Sequence, residues 1–108
     1  MRKIETARPV LQELKHELQR IYGPRFRRMI LYGSYARDEA HEGSDVDILL
    51  ILGDAHDPLA ERERLSEVLC WLALQHGVVL SVLPVDERVF ETRQKPLFLN
   101  VKREGIVI

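Results

Sequence analysis

Two groups of residues in this chain could together grip a metal-bound polyphosphate. Gly33-Ser34 closes one apolar run, and ten residues separate it from Asp45-Val46-Asp47, which opens the next. Strand side chains alternate, so Asp45 and Asp47 project from one face while Val46 and Ile48 project from the other. Converging carboxylates suit a hard cation such as Mg²⁺, which usually takes one or two of them together with phosphate oxygens and water. Gly33 has no side chain to hinder a close approach. If Ser34 begins a short helix, its free backbone N–H groups and dipole favour an anion at the same place. Asp-Val-Asp alone could equally be a polar strand entrance; Gly33-Ser34 at this spacing favours the site.

The rest of the chain supplies elements to hold those two ends. Val10, Leu11, Leu14, Leu18 and Ile21 recur at three- and four-residue spacing within residues 4–21, predicting an amphipathic helix. Thr6 is its expected N-cap, Pro9 is expected in its first turn, and Gly23-Pro24 ends it. Arg25-Phe26-Arg27-Arg28 reads as a solvated strand entrance, with a phosphate-facing patch as the alternative. Residues 29–32 are then a central strand, 34–40 a short helix with Ser34 at its N-cap, 41–44 a turn, and 45–52 a strand apolar on both faces after Asp47.

Asp57-Pro58 reads as cap and first residue of a long helix reaching Gln75, with Gly77 as its stop. Leu65, Val68, Leu69, Leu72 and His76 form its core face, and His76 is expected to meet free helix-end carbonyls. Cys70, Trp71 and Leu74 fall outside that face, which calls for a second layer, either the chain's own C-terminus or a partner. A third strand at 78–85, a short helix at 86–93, a helical stretch near 97–101 and a segment at 106–108 that either adds an edge strand or simply packs complete an α/β (α+β) arrangement: a short mixed sheet flanked by helices.

A length of 108 residues fits one domain spanning 1–108, with one core and no need of disulfides. The 31% of charged residues and the lone Cys70 describe a soluble globular chain without an internal disulfide, expected to be cytoplasmic. A formal net charge of −1 gives no electrostatic case for nucleic acid as a partner. No apolar run is long enough for a bilayer, and the N-terminus shows no apolar signal region.

Gly33-Ser34-Tyr35-Ala36-Arg37 followed by Ser44-Asp45-Val46-Asp47-Ile48 resembles the minimal nucleotidyltransferase family, of the MntA-like antitoxin type, within the DNA polymerase β-like superfamily. The order of elements and the C-terminal Asn100-Val101-Lys102-Arg103-Glu104-Gly105 agree with it, so the resemblance covers essentially the whole chain. It implies transfer of AMP from ATP to an acceptor with pyrophosphate leaving. Asp45 and Asp47 would then be the catalytic Mg²⁺ ligands and Gly33 and Ser34 the triphosphate cradle. Arg37 falls on the family's arginine position, which implies either a phosphate contact or a structural role. Such proteins often pair with a helical HEPN-domain toxin and adenylylate its tyrosine, which makes a HEPN-type protein the implied partner; a homo-oligomer is the other association considered.

One departure stands out. Active members of the superfamily usually carry a third carboxylate on the neighbouring strand, where this chain has Val78-Val79-Leu80-Ser81-Val82-Leu83. Ser81 fills the only polar slot, and a neutral hydroxyl is a weak metal ligand and a poor base. Asp54 and Asp86 lie past strand ends. A degenerate module that binds nucleotide or partner without transfer is therefore the competing expectation, while a drug-modifying enzyme would need an additional domain for which the chain has no room.

Overall fold

The computed structural model describes residues 2–108. Helix α1 (Lys3–Tyr22) and a 3₁₀ turn at Gly23–Arg25 lead into β1 (Phe26–Tyr32). After a long turn come β2 (Val46–Leu52), α2 (Pro58–His76), β3 (Leu80–Asp86), α3 (Glu87–Thr92), α4 (Pro96–Glu104) and the two-residue β4 (Ile106–Val107). The sheet order is β3-β2-β1-β4. β1 runs antiparallel to both β2 and β4, whereas β2 and β3 are parallel and joined through α2. This is the short mixed sheet flanked by helices that the periodicity predicts.

Alternation along β2 divides the core in two. Val46, Ile48, Leu50 and Leu52 join the apolar residues of α1 and α2 on one face of the sheet. Leu49 and Ile51 meet Phe90 of α3 and Phe98 and Val101 of α4 on the other. Helices on both faces explain why residues 48–52 are apolar without interruption. The same alternation sends Asp47, the first odd position of β2, toward the α3–α4 side, where the helices leave the end of the sheet open.

Several local expectations need correction. Residues 34–40 form no helix: Arg37 N–H donates to Gly33 O, Asp38 N–H to Tyr35 O and Glu39 N–H to Ser34 O, a single compact turn. Asp38 closes it at φ +61°, a left-handed conformation that a continuing helix forbids. Thr6 is not the cap of α1, because the helix begins at Lys3; its hydroxyl donates to Lys3 O inside the helix. Pro9 therefore lies in the second turn of α1 rather than the first. The capping acceptor comes from far along the chain, since Lys3 N–H donates to Asp38 Oδ1 at 2.6 Å. The turn after Gly33 and the start of α1 thus fix one another.

Helix α2 is built as its sequence predicts at both ends, with Asp57 accepting from Ala60 N–H and Gly77 in the left-handed conformation after His76. Leu65 and Leu72 are fully buried. The expected second layer from the C-terminus is absent: β4 pairs with β1 at the far edge and α4 packs on the opposite face of the sheet, leaving Trp71 53% and Leu74 79% exposed. His76 faces Glu13, with Nε2 3.3 Å from its Oε2, instead of meeting helix-end carbonyls.

The basic cluster before β1 is consumed by local pairing. Arg25 donates to Gly53 O and to the buried Glu61 carboxylate, while Arg27 faces Glu87 at 3.5 Å and Arg28 faces Glu91 at 3.8 Å. These arginines tie the end of the sheet remote from Asp47 to α2 and α3, which supports the strand-entrance reading over a phosphate patch.

Candidate active site

β1 delivers Gly33 and β2 delivers Asp47 to the same end of the sheet. The antiparallel register pairs Tyr32 with Asp47, and the parallel register pairs Asp47 with Ser81. Paired residues on adjacent strands project from the same face, so Ser81, Asp47 and Tyr32 form a row across three strands. Asp45 stands one step before β2 and is exposed. Val46 N–H donates to Val79 O at 2.8 Å, which anchors the Asp-Val-Asp segment to the strand beside it.

Gly33 touches Asp47 directly. It adopts φ +75°, and a Cβ added there would collide with Asp47 Oδ2. A glycine is required on two counts, the backbone conformation and the space taken by the carboxylate. Ser34 starts the compact turn that follows, and its carbonyl accepts from Glu39 N–H at 2.8 Å. Arg37 sits at the end of that turn. Its Nε lies 3.2 Å from Glu39 and its Nη1 3.8 Å from Glu104 of α4, so Arg37 bridges the turn to the C-terminal helix beside the site.

Burial pushes the Asp47 carboxyl above its ordinary range, the Asp45 carboxylate adds to the rise, and the Arg37 guanidinium opposes it. Burial and the charge of Asp47 likewise push the Tyr32 phenol up. Two carboxylates that repel one another in a partly desolvated corner make a good cation site, because a divalent ion relieves both costs at once. The donor set therefore fits Mg²⁺, with Asp45 and Asp47 the residues that would hold it.

The third carboxylate is absent from the strand that should carry it. Ser81 stands beside Asp47 in the expected slot, and no group of three or more metal-ligating side chains occurs among the described residues. Asp86 pairs in register with Leu52, at the opposite end of the sheet, where it accepts from Ala55 and Arg88 N–H groups as the cap of α3. It cannot substitute. Sequence reasoning missed one feature of the site: α4 brings Asn100 and Glu104 to the cavity that Tyr32, Gly33 and Arg37 line. Asn100 and Glu104 are spaced by four on one helix face, a signal present in the sequence but without a partner until the turn at 33–39 is placed beside it.

A glycine turn packed against a strand that two carboxylates open, in a mixed sheet between helices, is an arrangement suited to a cation and an anionic group side by side. The chain belongs to the nucleotidyltransferase domain family, whose model matches residues 11–103. A Methanocaldococcus jannaschii relative that carries a protein adenylyltransferase name is 32% identical over 99 residues, covering 91% of this chain and 93% of its own length. A second such relative in the same organism is 29% identical over 72 residues, with 67% and 72% covered. Among solved structures, a toxin–antitoxin complex with AMP-PNP is similar at a TM-score of 0.61 and 22% identity, over 86% of this chain and 68% of that one. A nucleotidyltransferase from Sulfolobus solfataricus is similar at a TM-score of 0.58 and 14% identity, over 97% and 84%. At those identities the structural likeness speaks for the fold.

Proposed function

We propose that this protein is a Mg²⁺-dependent adenylyltransferase that moves AMP from ATP to a hydroxyl of a partner protein, a HEPN-type toxin in a toxin–antitoxin pair. The contact between Gly33 and the Asp47 carboxylate carries the reading, because it brings a side-chain-free cradle for a triphosphate against a cation site. In the reaction the acceptor oxygen attacks the α-phosphorus, the bond from that phosphorus to the bridging oxygen of pyrophosphate breaks, and the acceptor proton passes to solvent water. A bound Mg²⁺ supplies Lewis-acid stabilisation of charge on the phosphate oxygens. Gly33 and Ser34 would admit and orient the triphosphate, and Asp45 and Asp47 are the residues that would hold the cation. Arg37, which lines the cavity beside Gly33, offers its guanidinium to the phosphate charge.

Positioning and charge neutralisation provide most of the acceleration in such a transfer, so the missing third carboxylate weakens the site without removing its basis. The protein-adenylyltransferase names of the relatives and the toxin–antitoxin neighbours support the acceptor class. The neighbour with AMP-PNP and the MntA-HpeT toxin–antitoxin structure, similar at a TM-score of 0.61 and 20% identity, support ATP and a toxin partner. An ATP donor also suits a cytoplasmic location; no helix among the described residues is long and apolar enough to cross a membrane.

Ser81 beside Asp47 favours a second reading, a module that binds nucleotide or toxin without transfer. Label from α-labelled ATP separates the two. Under the enzyme reading the wild type transfers label with Mg²⁺ and Asp47→Asn does not, while Ser81→Asp raises the rate. Failure of wild type and Ser81→Asp alike to transfer, with ATP still bound, establishes the binding module.

A further inference from the structure

Beside Gly33, on the side of Asp47 away from Ser81, lies a cavity of about 230 Å³ lined by Tyr32, Gly33, Arg37, Leu97, Asn100, Val101 and Glu104. Sites for whole small-molecule ligands run to roughly 300–1,000 Å³, so this space suits one part of a nucleotide rather than all of it. Tyr32, Leu97 and Val101 give it an apolar side, and Arg37, Asn100 and Glu104 give it polar and charged groups. Flat aromatic and aliphatic walls with few polar groups are what a heterocyclic base requires.

We infer that this cavity is the base subsite of the nucleotide proposed above, and that Asn100 and Glu104 select a base carrying an exocyclic amino group beside a ring acceptor, as adenine does. The inference rests on the nucleotide reading of Gly33 and Asp47 and deepens it. A base seated by Tyr32 leaves the Ser81 side of Asp47 uncovered. The rim chemistry agrees. Asn100 carries both a donor and an acceptor, the pairing an amide makes with adenine. Its Oδ1 accepts from Arg103 at 2.8 Å, which leaves the amide NH₂ free to donate to a ring nitrogen. Glu104 is an acceptor and so takes an amino hydrogen, whereas the carbonyl that guanine presents at that position would face a carboxylate and be repelled.

Glu104 is held in place for that role. Arg37 Nη1 lies 3.8 Å from its Oε2 and Arg103 Nη2 3.7 Å from its Oε1, from two sides.

Titration calorimetry with Mg²⁺ and three probes, a non-hydrolysable ATP analogue, the matching GTP analogue and inorganic tripolyphosphate, tests the inference without relying on transfer. The wild type binds the ATP analogue at least tenfold more tightly than tripolyphosphate and than the GTP analogue. Asn100→Trp, made from an exposed position so that the fold survives, fills the cavity and brings ATP-analogue affinity down to that of tripolyphosphate, which still binds. Glu104→Gln narrows the gap between the ATP and GTP analogues several-fold. Equal affinity of the wild type for all three probes, or ATP binding undisturbed in both variants, overturns the base subsite while leaving the phosphate site intact. No binding of tripolyphosphate or either analogue to the wild type overturns the underlying nucleotide reading instead, and the subsite with it.

Discussion

Gly33 and Asp47 behave as one unit, since the carboxylate occupies the space that any larger residue at 33 would need. Gly33→Ala forces a side chain into a left-handed backbone at a cost of about 1–2 kcal/mol and displaces the carboxylate as well. A lower melting temperature together with lost Mg²⁺-ATP binding is the expected result; binding at wild-type strength would show that Asp47 is not held by this contact. Asp47 itself opposes folding. Burial and Asp45 raise its carboxyl above the unfolded value, so its contribution to stability is fully present below the unfolded pKa and is lost as pH rises through the folded one. Asp47→Asn should therefore melt no lower than wild type at neutral pH, and slightly higher without metal, with the gain fading as pH falls and Asp47 takes up its proton. A melting temperature lowered at pH 7 would show instead that the ionised carboxylate holds the structure. Function maintained against stability is the usual mark of a working site.

At the scale of elements, the turn between β1 and β2 depends on α1. Asp38 caps the first turn of α1 across 35 residues of sequence, so Asp38→Ala should cost about 1 kcal/mol, the ordinary worth of a cap. The same change should loosen residues 33–39, read as faster amide exchange at Arg37 and Glu39; unchanged exchange would separate the cap from the turn. This coupling marks the boundary of what the residues alone disclose. Period and stop signals placed α2 between Asp57 and Gly77 because those signals are local, whereas the strand expected from Asp45 begins at Val46 and leaves Asp45 one step outside its alternation. The N-terminus of α1 was misplaced because its acceptor is remote and Thr6, a good local candidate, is bypassed. The supposed helix at 34–40 fails for a similar reason, Asp38 being drawn into a left-handed conformation where it reaches Lys3. Ser81 was placed correctly beside Asp47 because parallel strands in register keep side-chain faces aligned. Asn100 and Glu104 stayed hidden until α4 was docked against the turn.

The whole molecule divides its labour across the sheet. α1 and α2 bury one face and carry the larger core, while α3 and α4 cover the other face only far enough to leave Asp47 and the cleft beside Tyr32 accessible. The arginine-rich start of β1 faces carboxylates of α2 and α3 at the remote end of the sheet. That open end is where the proposed macromolecular acceptor would bring its hydroxyl. The most direct measurement is incubation of the purified protein with α-labelled ATP, Mg²⁺ and, as the proposed neighbour and acceptor, a HEPN-type toxin, followed by separation of the two chains. Label on the neighbour, absent when Asp47→Asn replaces wild type, is the predicted result. A neighbour that stays unlabelled although both proteins are folded and ATP is bound would contradict AMP transfer as the function of this site.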